Sequence, residues 1–242
     1  MKGAGMDQTA ESGKRLAVLP AYNEEKNLPA LYRELREKAP EYDVLAVNDG
    51  STDGTLTCCR ENGIPALDLA VNLGIGGAVQ AGYRYAAEHG YGIAVQVDGD
   101  GQHDPAFLES MYEKLLSEDA DMVIGSRFLE REGYQSTALR RQGIRYLSRL
   151  IRLLTGKTVT DPTSGFRMVR RPVIEVFAED YPQDYPEPES LVRLLRQGKK
   201  VVEVPVRMRE RSGGASSIGK SASMGYLIKV TAAILLERMR NG

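Results

Sequence analysis

The sequence predicts an α/β fold in which a mostly parallel central sheet is flanked by helices. Short apolar runs rich in Val, Ile, Leu and Ala alternate along the chain with longer amphipathic segments. Polar loops, several of them containing glycine, separate the two kinds of segment. This alternation is typical of parallel strands joined by crossover helices. With 242 residues, 42% of them hydrophobic, the chain is long enough for one large domain with a substantial core.

Five apolar runs are predicted to be strands, in chain order 16–19, 43–47, 66–70, 93–97 and 122–124. Helices are predicted to end near Lys38 and His89 and to span 53–61 and 105–117. Parallel strands joined in this way carry their carboxyl ends at one edge of the sheet, where such proteins bind ligands. The acid-bearing loops 20–24, 48–51 and 98–102 each follow a predicted strand, so we expect them to converge at that edge.

The most informative of these loops contains Asp98, Gly99 and Asp100, directly after an apolar run. Two carboxylates held this close repel each other unless a cation lies between them or one is protonated. Mg²⁺ and Mn²⁺ prefer oxygen ligands, and Mg²⁺ is commonly held by one or two carboxylates together with substrate phosphates. A polar turn is the alternative, because Asp and Gly are common turn residues. The expected convergence of the three loops favours a metal and diphosphate site.

Composition excludes several other classes of protein. The net charge of −1 gives no overall field that would attract nucleic acid. The only two cysteines, Cys58 and Cys59, are adjacent, and with two histidines in the chain there is no zinc-binding cluster. A reduced, cytoplasmic setting is therefore expected. Residues 1–13 are expected to form a flexible tail without the apolar core of a signal peptide, and no apolar run is long enough to span a membrane.

Four motifs in this order resemble the family 2 glycosyltransferases, whose GT-A fold binds nucleotide sugars. They are Pro20-x-Tyr22-Asn23-Glu24, the segment from Val47 to Thr55, Asn72-Leu73-Gly74-x-Gly76 and the segment from Asp98 to His103. Later segments are similar to dolichyl- and polyprenyl-phosphate sugar transferases. These segments are 125–127, 161–167, Glu189, 203–206 and 211–216. We therefore expect a GT-A domain over 14–217, followed over 218–242 by an amphipathic helix that contacts a membrane or a partner.

The resemblance implies a donor site at the edge of the sheet. The implied nucleotide-binding residues are Pro20, Tyr22, Glu24, Val47, Asp49, Asp98, Gly99, Asp100 and Arg211. The implied ligands of Mg²⁺ or Mn²⁺ are Asp98, Asp100 and Gln102, and the implied catalytic residues are Asp98, Asp100 and Arg127. A bound metal would stabilise the departing nucleoside diphosphate as a Lewis acid. The lysine that the family carries after Arg211 is replaced by Ser217, with Lys220 nearby as a substitute. This replacement slightly favours UDP over GDP in the donor and leaves the sugar open.

The chain shows no Ser–His–Asp or Cys–His arrangement, which is consistent with an acceptor that is already ionised. A sugar hydroxyl would normally need a general base, whereas a phosphate needs positioning by positive charge. The resemblance implies that Arg127, Arg140 and Arg141 hold the acceptor phosphate. Asp161 and Glu189 are expected either to shape the sugar or acceptor pocket or to brace neighbouring loops.

Residues 139–155 are predicted to form a helix with an apolar face and a separate arginine face. The apolar face comprises Ile144, Leu147, Ile151 and Leu154, and the basic face comprises Arg141, Arg145, Arg149 and Arg152. Such a helix either lies on an anionic membrane or is an ordinary surface helix. We expect a peripheral enzyme at the cytoplasmic face of the membrane, docked on the membrane surface or on a small membrane protein.

The predicted function is a metal-dependent, inverting transfer of a sugar from a UDP- or GDP-sugar to a polyprenyl phosphate, without a nucleic-acid partner. One alternative is transfer to a sugar or protein hydroxyl, with Glu189 or Asp161 as the base. A second alternative is a non-catalytic subunit of a membrane complex that binds a nucleotide sugar, against which the intact acidic motif argues.

Overall fold

A computed structural model describes residues 13–130, 138–209 and 223–240, and within these ranges seven strands form one sheet. The strands are β1 (Arg15–Ala21), β2 (Tyr42–Asn48), β3 (Ala66–Asp68), β4 (Ile93–Gln96), β5 (Met122–Ser126), β6 (Arg167–Arg170) and β7 (Val201–Pro205). Their order across the sheet is β3-β2-β1-β4-β6-β5-β7. Only β6 runs antiparallel to its neighbours, β4 and β5. The predicted mostly parallel sheet is therefore confirmed.

Eight α-helices lie within the described ranges, in addition to a short 3₁₀ helix at Pro105–Phe107. They are α1 (Leu28–Lys38), α2 (Thr55–Glu61), α3 (Gly74–Glu88), α4 (Leu108–Ser117), α5 (Ala138–Thr155), α6 (Arg171–Glu179), α7 (Pro186–Arg196) and α8 (Ser223–Arg240). No helix in these ranges combines the length and apolar character needed to cross a bilayer.

Helices cover both faces of the sheet, because side chains alternate between the faces along each strand. On β1, Ala17 and Leu19 pack with buried residues of α1, α2 and α4. Leu16 and Val18 of the same strand pack on the other face with buried residues of α3, α5, α6, α7 and α8. The core is thus divided into two layers by the sheet.

The reversal of β6 determines which loops meet. The carboxyl ends of β1, β2, β4 and β5 lie at one edge of the sheet, and the loop 161–165, which enters β6, lies at the same edge. Ala21 at the end of β1 pairs with Asn48 at the end of β2, so the two following loops start side by side. The predicted convergence of loops 20–24, 48–51 and 98–102 on one edge is therefore observed, with a further loop from the later part of the chain.

Candidate active site

The first two loops are joined by the side chain of Asn23. Its backbone adopts φ 59°, and its Oδ1 accepts hydrogen bonds from the backbone N–H groups of Thr52 at 2.8 Å and Asp53 at 3.3 Å. The backbone N–H of Glu24 donates to Thr55 Oγ1 at 2.9 Å, and Glu24 itself is buried. These contacts fix loop 20–24 to the segment that begins α2.

The predicted nucleotide-binding residues at this end of the sheet differ in how far they are buried. Pro20 and Val47 are buried partners in the β1–β2 ladder, whereas Tyr22 is 48% exposed. Asp49 is buried, and its Oδ1 accepts a hydrogen bond from the backbone N–H of Leu73 at 2.7 Å. Asp49 therefore also holds the start of α3 against the site.

The carboxylate of Asp98 is oriented by two neighbours. Gln96 Nε2 donates to Asp98 Oδ1 at 2.8 Å, and the backbone N–H of Asp98 donates to His103 Nδ1 at 3.0 Å. Because Nδ1 accepts this bond, the proton of a neutral imidazole lies on Nε2, which is 3.7 Å from Asp98 Oδ2. The imidazole is buried and stacks on Phe166 with ring centroids 4.7 Å apart. His103 thus fixes the backbone of Asp98 from the buried side of the loop.

Asp100 lies at the tip of the same loop. Its Oδ1 accepts a hydrogen bond from the backbone N–H of Gln102 at 3.0 Å, and Gly101 between them adopts φ 74°. Gln102 also pairs with Arg209: its Nε2 donates to the Arg209 carbonyl at 3.2 Å, and its carbonyl accepts from the Arg209 N–H at 3.0 Å. The chain after β7 is therefore attached to the acidic loop.

The donor set at this loop fits a hard divalent cation that is completed by substrate. No group of three or more His, Cys, Asp or Glu side chains in the described ranges is placed to hold a metal ion. The carboxylates of Asp98 and Asp100 are the anionic oxygen donors of this loop, and the side chain of Asp98 is 34% exposed. Mg²⁺ is commonly bound in this way, by one or two carboxylates with phosphate oxygens as further ligands.

Arg127 follows β5 and forms a two-pronged ion pair with the buried carboxylate of Asp161. The Nε–Oδ2 and Nη2–Oδ1 distances are both 2.7 Å, and Nη2 also donates to Thr163 Oγ1 at 3.0 Å. Glu203 on β7 accepts the backbone N–H of Asp161 at 2.9 Å. Burial lowers the pKa of Arg127, but the bonds to Asp161 raise that pKa more, so its guanidinium stays charged.

The loop 161–165 connects this ion pair with the acidic loop. Arg167 is fully buried and donates to the carbonyls of Pro162 at 2.9 Å and Ser164 at 2.8 Å, which fixes the loop. A Cβ atom at Gly165 would lie 2.8 Å from Gln96 Nε2 and 3.3 Å from Asp98 Oδ2. A side chain at position 165 would therefore displace the Gln96 amide and crowd the Asp98 carboxylate that this amide orients.

A cavity of about 770 Å³ lies against Phe128 and Thr160, the chain neighbours of Arg127 and Asp161. Its lining residues are Phe128, Arg141, Ile144, Arg145, Ser148, Arg149 and Thr160. The three arginines recur every four residues along α5, which places them about 6 Å apart along the helix axis. Arg141 is among the predicted acceptor residues, and Arg145 and Arg149 belong to the predicted basic face of the same helix.

The two carboxylates near the start of α7 lie in different surroundings. Burial, followed by the charges of Glu237 and Asp184, raises the pKa of Glu189 to about 7. Burial also raises the pKa of Glu187, whose interacting charges include Asp98 and Arg127. Two residues along a helix are separated by about 200° of rotation, so the two side chains leave α7 on opposite sides.

Of the two, Glu187 is the one whose charge interacts with Asp98 and Arg127 as well as with Arg167. Sequence reasoning missed Glu187 because it considered only the residue matched by the family resemblance. The spacing of two residues within one helix was the signal that could have shown that the two glutamates face opposite sides. The side chain of Arg140, together with Arg211, Ser217 and Lys220, lies outside the described residues.

Together, the sheet and the acidic loop at its carboxyl edge define a glycosyltransferase of the GT-A type. The chain belongs to glycosyl transferase family 2, whose sequence model matches residues 16–177.

Two curated relatives are similar over most of their length. The chain is 32% identical over 225 residues to the undecaprenyl-phosphate mannosyltransferase of Micrococcus luteus, covering 89% of this chain and 92% of the relative. It is 30% identical over 241 residues to the polyprenol monophosphomannose synthase of Mycolicibacterium smegmatis, covering 95% of this chain and 91% of the relative.

Among solved structures, glucosyl-3-phosphoglycerate synthase from Mycobacterium tuberculosis, in complex with Mn²⁺, UDP and phosphoglyceric acid, has a TM-score of 0.71. The identity is 20%, over 95% of this chain and 80% of that one. At this identity the likeness establishes the fold alone.

Proposed function

We propose that this glycosyltransferase moves a sugar from a nucleoside-diphosphate sugar to a polyprenyl phosphate at the cytoplasmic face of the membrane. The observation that carries the proposal is the arginine-lined cavity beside the Arg127–Asp161 pair, which adjoins the acidic loop through loop 161–165. A phosphate monoester fits such a lining because arginine binds phosphate oxygens with paired N–H groups. Both curated relatives bear names of polyprenyl-phosphate sugar transferases, which supports the same acceptor class.

On the donor side, the loops after β1 and β2 would hold the nucleoside. Tyr22 is exposed at the edge of the sheet, where its ring can contact a base, while Glu24 and Asp49 supply carboxylates for hydrogen bonds to base or ribose. Asp98 and Asp100 would hold Mg²⁺ or Mn²⁺, which stabilises negative charge on the diphosphate when bound. Gln102 is the third proposed metal ligand: its backbone N–H is bonded to Asp100 Oδ1, and its side-chain Nε2 donates to the Arg209 carbonyl, which leaves Oε1 as the donor atom for a metal.

On the acceptor side, the proposed reaction needs no general base. A phosphate monoester is ionised at neutral pH, so Arg127 and the arginines of α5 need only bind and orient it. A phosphate oxygen then attacks the anomeric carbon while the bond from that carbon to the nucleoside diphosphate breaks. The departing diphosphate takes the bonding electron pair, and the single displacement inverts the configuration of the sugar.

The experiment is transfer of labelled sugar from UDP- and GDP-sugars to a short-chain polyprenyl phosphate in detergent, with Mn²⁺ or Mg²⁺. Arg149→Gln should raise the KM for the acceptor by roughly tenfold or more, because hydrogen bonds to charged groups contribute about 1.5–3 kcal/mol. Arg152→Gln is the matched control, since Arg152 is an exposed arginine of the same helix that does not line the cavity.

Asp100→Asn and a chelator test the metal in the same assay. The chelator should abolish transfer, and Asp100→Asn should strongly reduce it and raise the Mn²⁺ concentration that the remaining activity needs. Transfer that survives both treatments would contradict the metal-binding role of Asp100. Failure with every polyprenyl phosphate, combined with transfer to a water-soluble oligosaccharide, would contradict the proposed acceptor.

One observation supports a second candidate, a glycosyltransferase that acts on a hydroxyl acceptor. Glu187 interacts electrostatically with Asp98 and Arg127, and its raised pKa suits a general base better than an ordinary carboxylate. Asp161 cannot serve in that role while Arg127 occupies both of its oxygens. If a hydroxyl is the acceptor, Glu187→Gln should lower kcat by about 100-fold or more, and the remaining activity should lack the acidic limb of the pH–rate profile. With a phosphate acceptor, the variant should keep that limb.

A further inference from the structure

Helices α5 and α8 lie side by side and run in the same direction. A Cβ atom at Gly143 of α5 would lie 3.3 Å from the Leu227 side chain of α8. One turn further along both helices, the hydroxyls of Tyr146 and Thr231 are 3.2 Å apart. Because Tyr146 is exposed and contacts Thr231, the solvent-facing sides of the two helices meet there in one surface.

This surface carries large exposed apolar side chains. On α5, Tyr146 and Leu153 are 44% and 81% exposed, and their spacing of seven residues places them on the same side of the helix. On α8, Ile228 and Leu235 are 66% and 42% exposed with the same spacing. The opposite side of α8 is buried, with Val230 and Ile234 in the core. Leu153, Ile228 and Leu235 are therefore not needed to attach the helices to the domain.

Arginines line the same surface on the α5 side. Residues 139–152 include five arginines and no Asp or Glu. Arg145, Arg149 and Arg152 are exposed, and none of them forms an ion pair within the described part of the chain. These three arginines and the exposed side chains of Tyr146, Leu153, Ile228 and Leu235 together form what we call the basic-apolar face. Apolar side chains bordered by unpaired arginines complement a bilayer with anionic headgroups, because one part enters the acyl boundary and the other meets phosphate.

We infer that the basic-apolar face binds the surface of an anionic bilayer. Arg145 and Arg149 belong to this face and also line the cavity beside Arg127, so bilayer contact would bring the cavity mouth to the depth of lipid phosphates. The inference rests on the proposed function only in explaining why the enzyme would need the bilayer. The binding itself is inferred from the exposed apolar side chains and the arginines. A protein partner is less well matched, because it would have to present acidic groups to the three arginines of this face as well as an apolar surface.

The test is co-sedimentation of the full chain with vesicles of phosphatidylcholine, with and without phosphatidylglycerol, at low and high salt. We expect binding only to the anionic vesicles, weakened by salt because surface charges are screened. Leu153→Asp and Ile228→Asp should each lower vesicle affinity by roughly tenfold or more, the loss expected when one large side chain is no longer inserted.

Leu116→Asp is the matched control. Leu116 is a 43% exposed leucine of α4, which packs on the other face of the sheet. Its replacement should leave vesicle binding unchanged. Equal binding by the Leu153, Ile228 and Leu116 variants would overturn the inference, as would wild-type protein that fails to bind anionic vesicles. Binding only to native membranes, lost after protease treatment of those membranes, would also overturn it and indicate a membrane protein instead.

Activity in detergent separates this inference from the proposed function. The Leu153 and Ile228 variants should transfer sugar to a short-chain polyprenyl phosphate in detergent as fast as the wild type, because neither residue lines the cavity. Vesicle binding without any such transfer would leave the inference standing and contradict the acceptor. Transfer in detergent without vesicle binding would contradict the inference and leave the proposed acceptor standing.

Discussion

Removal of the Asp161 carboxylate should destabilise the fold far more than an average substitution. Asp161 is fully buried, and its two oxygens accept N–H bonds from the Arg127 guanidinium at 2.7 Å each. Asp161→Ala would leave that guanidinium, whose side chain is only 12% exposed, without its partner. Breaking a buried ion pair from one side costs about 3–5 kcal/mol. With a urea m-value near 3 kcal/mol per molar for a domain of this size, the unfolding midpoint should fall by roughly 1–2 M.

A double-mutant cycle gives the sharper result. Arg127→Leu leaves Asp161 as a buried charge and should be comparably destabilising, whereas Arg127→Leu combined with Asp161→Ala removes both charges. The double variant should therefore be more stable than the sum of the single losses implies, by about 1–3 kcal/mol in urea unfolding. Additive losses, or a loss below about 1 kcal/mol for Asp161→Ala alone, would refute the assignment of a strong buried pair. Asp161→Asn, which keeps the shape, should lie between Asp161→Ala and the wild type.

Three further predictions concern the site and its surroundings. Gly165→Ala should lower kcat/KM by roughly tenfold or more with little loss of stability, because the added methyl would lie 2.8 Å from Gln96 Nε2 and move the amide that orients the Asp98 carboxylate. Asn23→Ala should reduce the free energy of unfolding by about 2 kcal/mol in urea, because φ 59° disfavours alanine and two backbone N–H groups lose their acceptor. Burial and Glu237 raise the pKa of Glu189 from 4.5 to about 7, so the folded state binds more protons than the unfolded state between these values and loses stability as pH rises through them. Glu189→Gln should therefore raise Tm at pH 8 by about 2–4 °C and change it little below pH 4.5, after allowance for partial exposure of the carboxylate.

Each of these predictions has a control on the same chain. Gly225→Ala adds a methyl where nothing lies within 4 Å, so activity should not change. Asn62→Ala removes an exposed side-chain bond to the Cys58 carbonyl and should cost much less stability than Asn23→Ala. Glu88→Gln replaces an exposed glutamate of α3 and should leave the pH dependence of Tm unaltered. If a control and its test variant behave alike, the corresponding structural reason is wrong.

Local patterns were sufficient to predict the first half of the sheet. The runs before Pro20, Asn48 and Asp98 are apolar enough to be buried on both faces, which indicates a parallel strand even without knowledge of its neighbours. The parallel arrangement then requires that the loops after these runs share one edge. The strands β6 and β7 escaped prediction because they are short and contain Arg and Glu. Arg167 and Glu203 are charged residues within strands because each holds backbone groups of residues 160–164.

Pairings across long stretches of chain could not be predicted from sequence alone. Arg127 and Asp161 were each assigned a role at the site, but their mutual bidentate bond depends on β5 and β6 being adjacent. The orientation of Glu189 towards Glu237 depends in the same way on α8 packing against α7. The roles of Arg127, Asp161 and Glu189 in binding substrate stay predictions, whereas the interactions within each pair follow from the fold.

The reversed strand β6 has a consequence for substrate kinetics. Loop 161–165 holds Arg127 at one end and abuts Asp98 at the other, so the proposed acceptor and donor sites share one short stretch of backbone. A ligand that shifts this stretch at one site changes the geometry of the other. The KM for the lipid phosphate should therefore depend on which nucleotide is bound, and the two substrates should not bind as independent events.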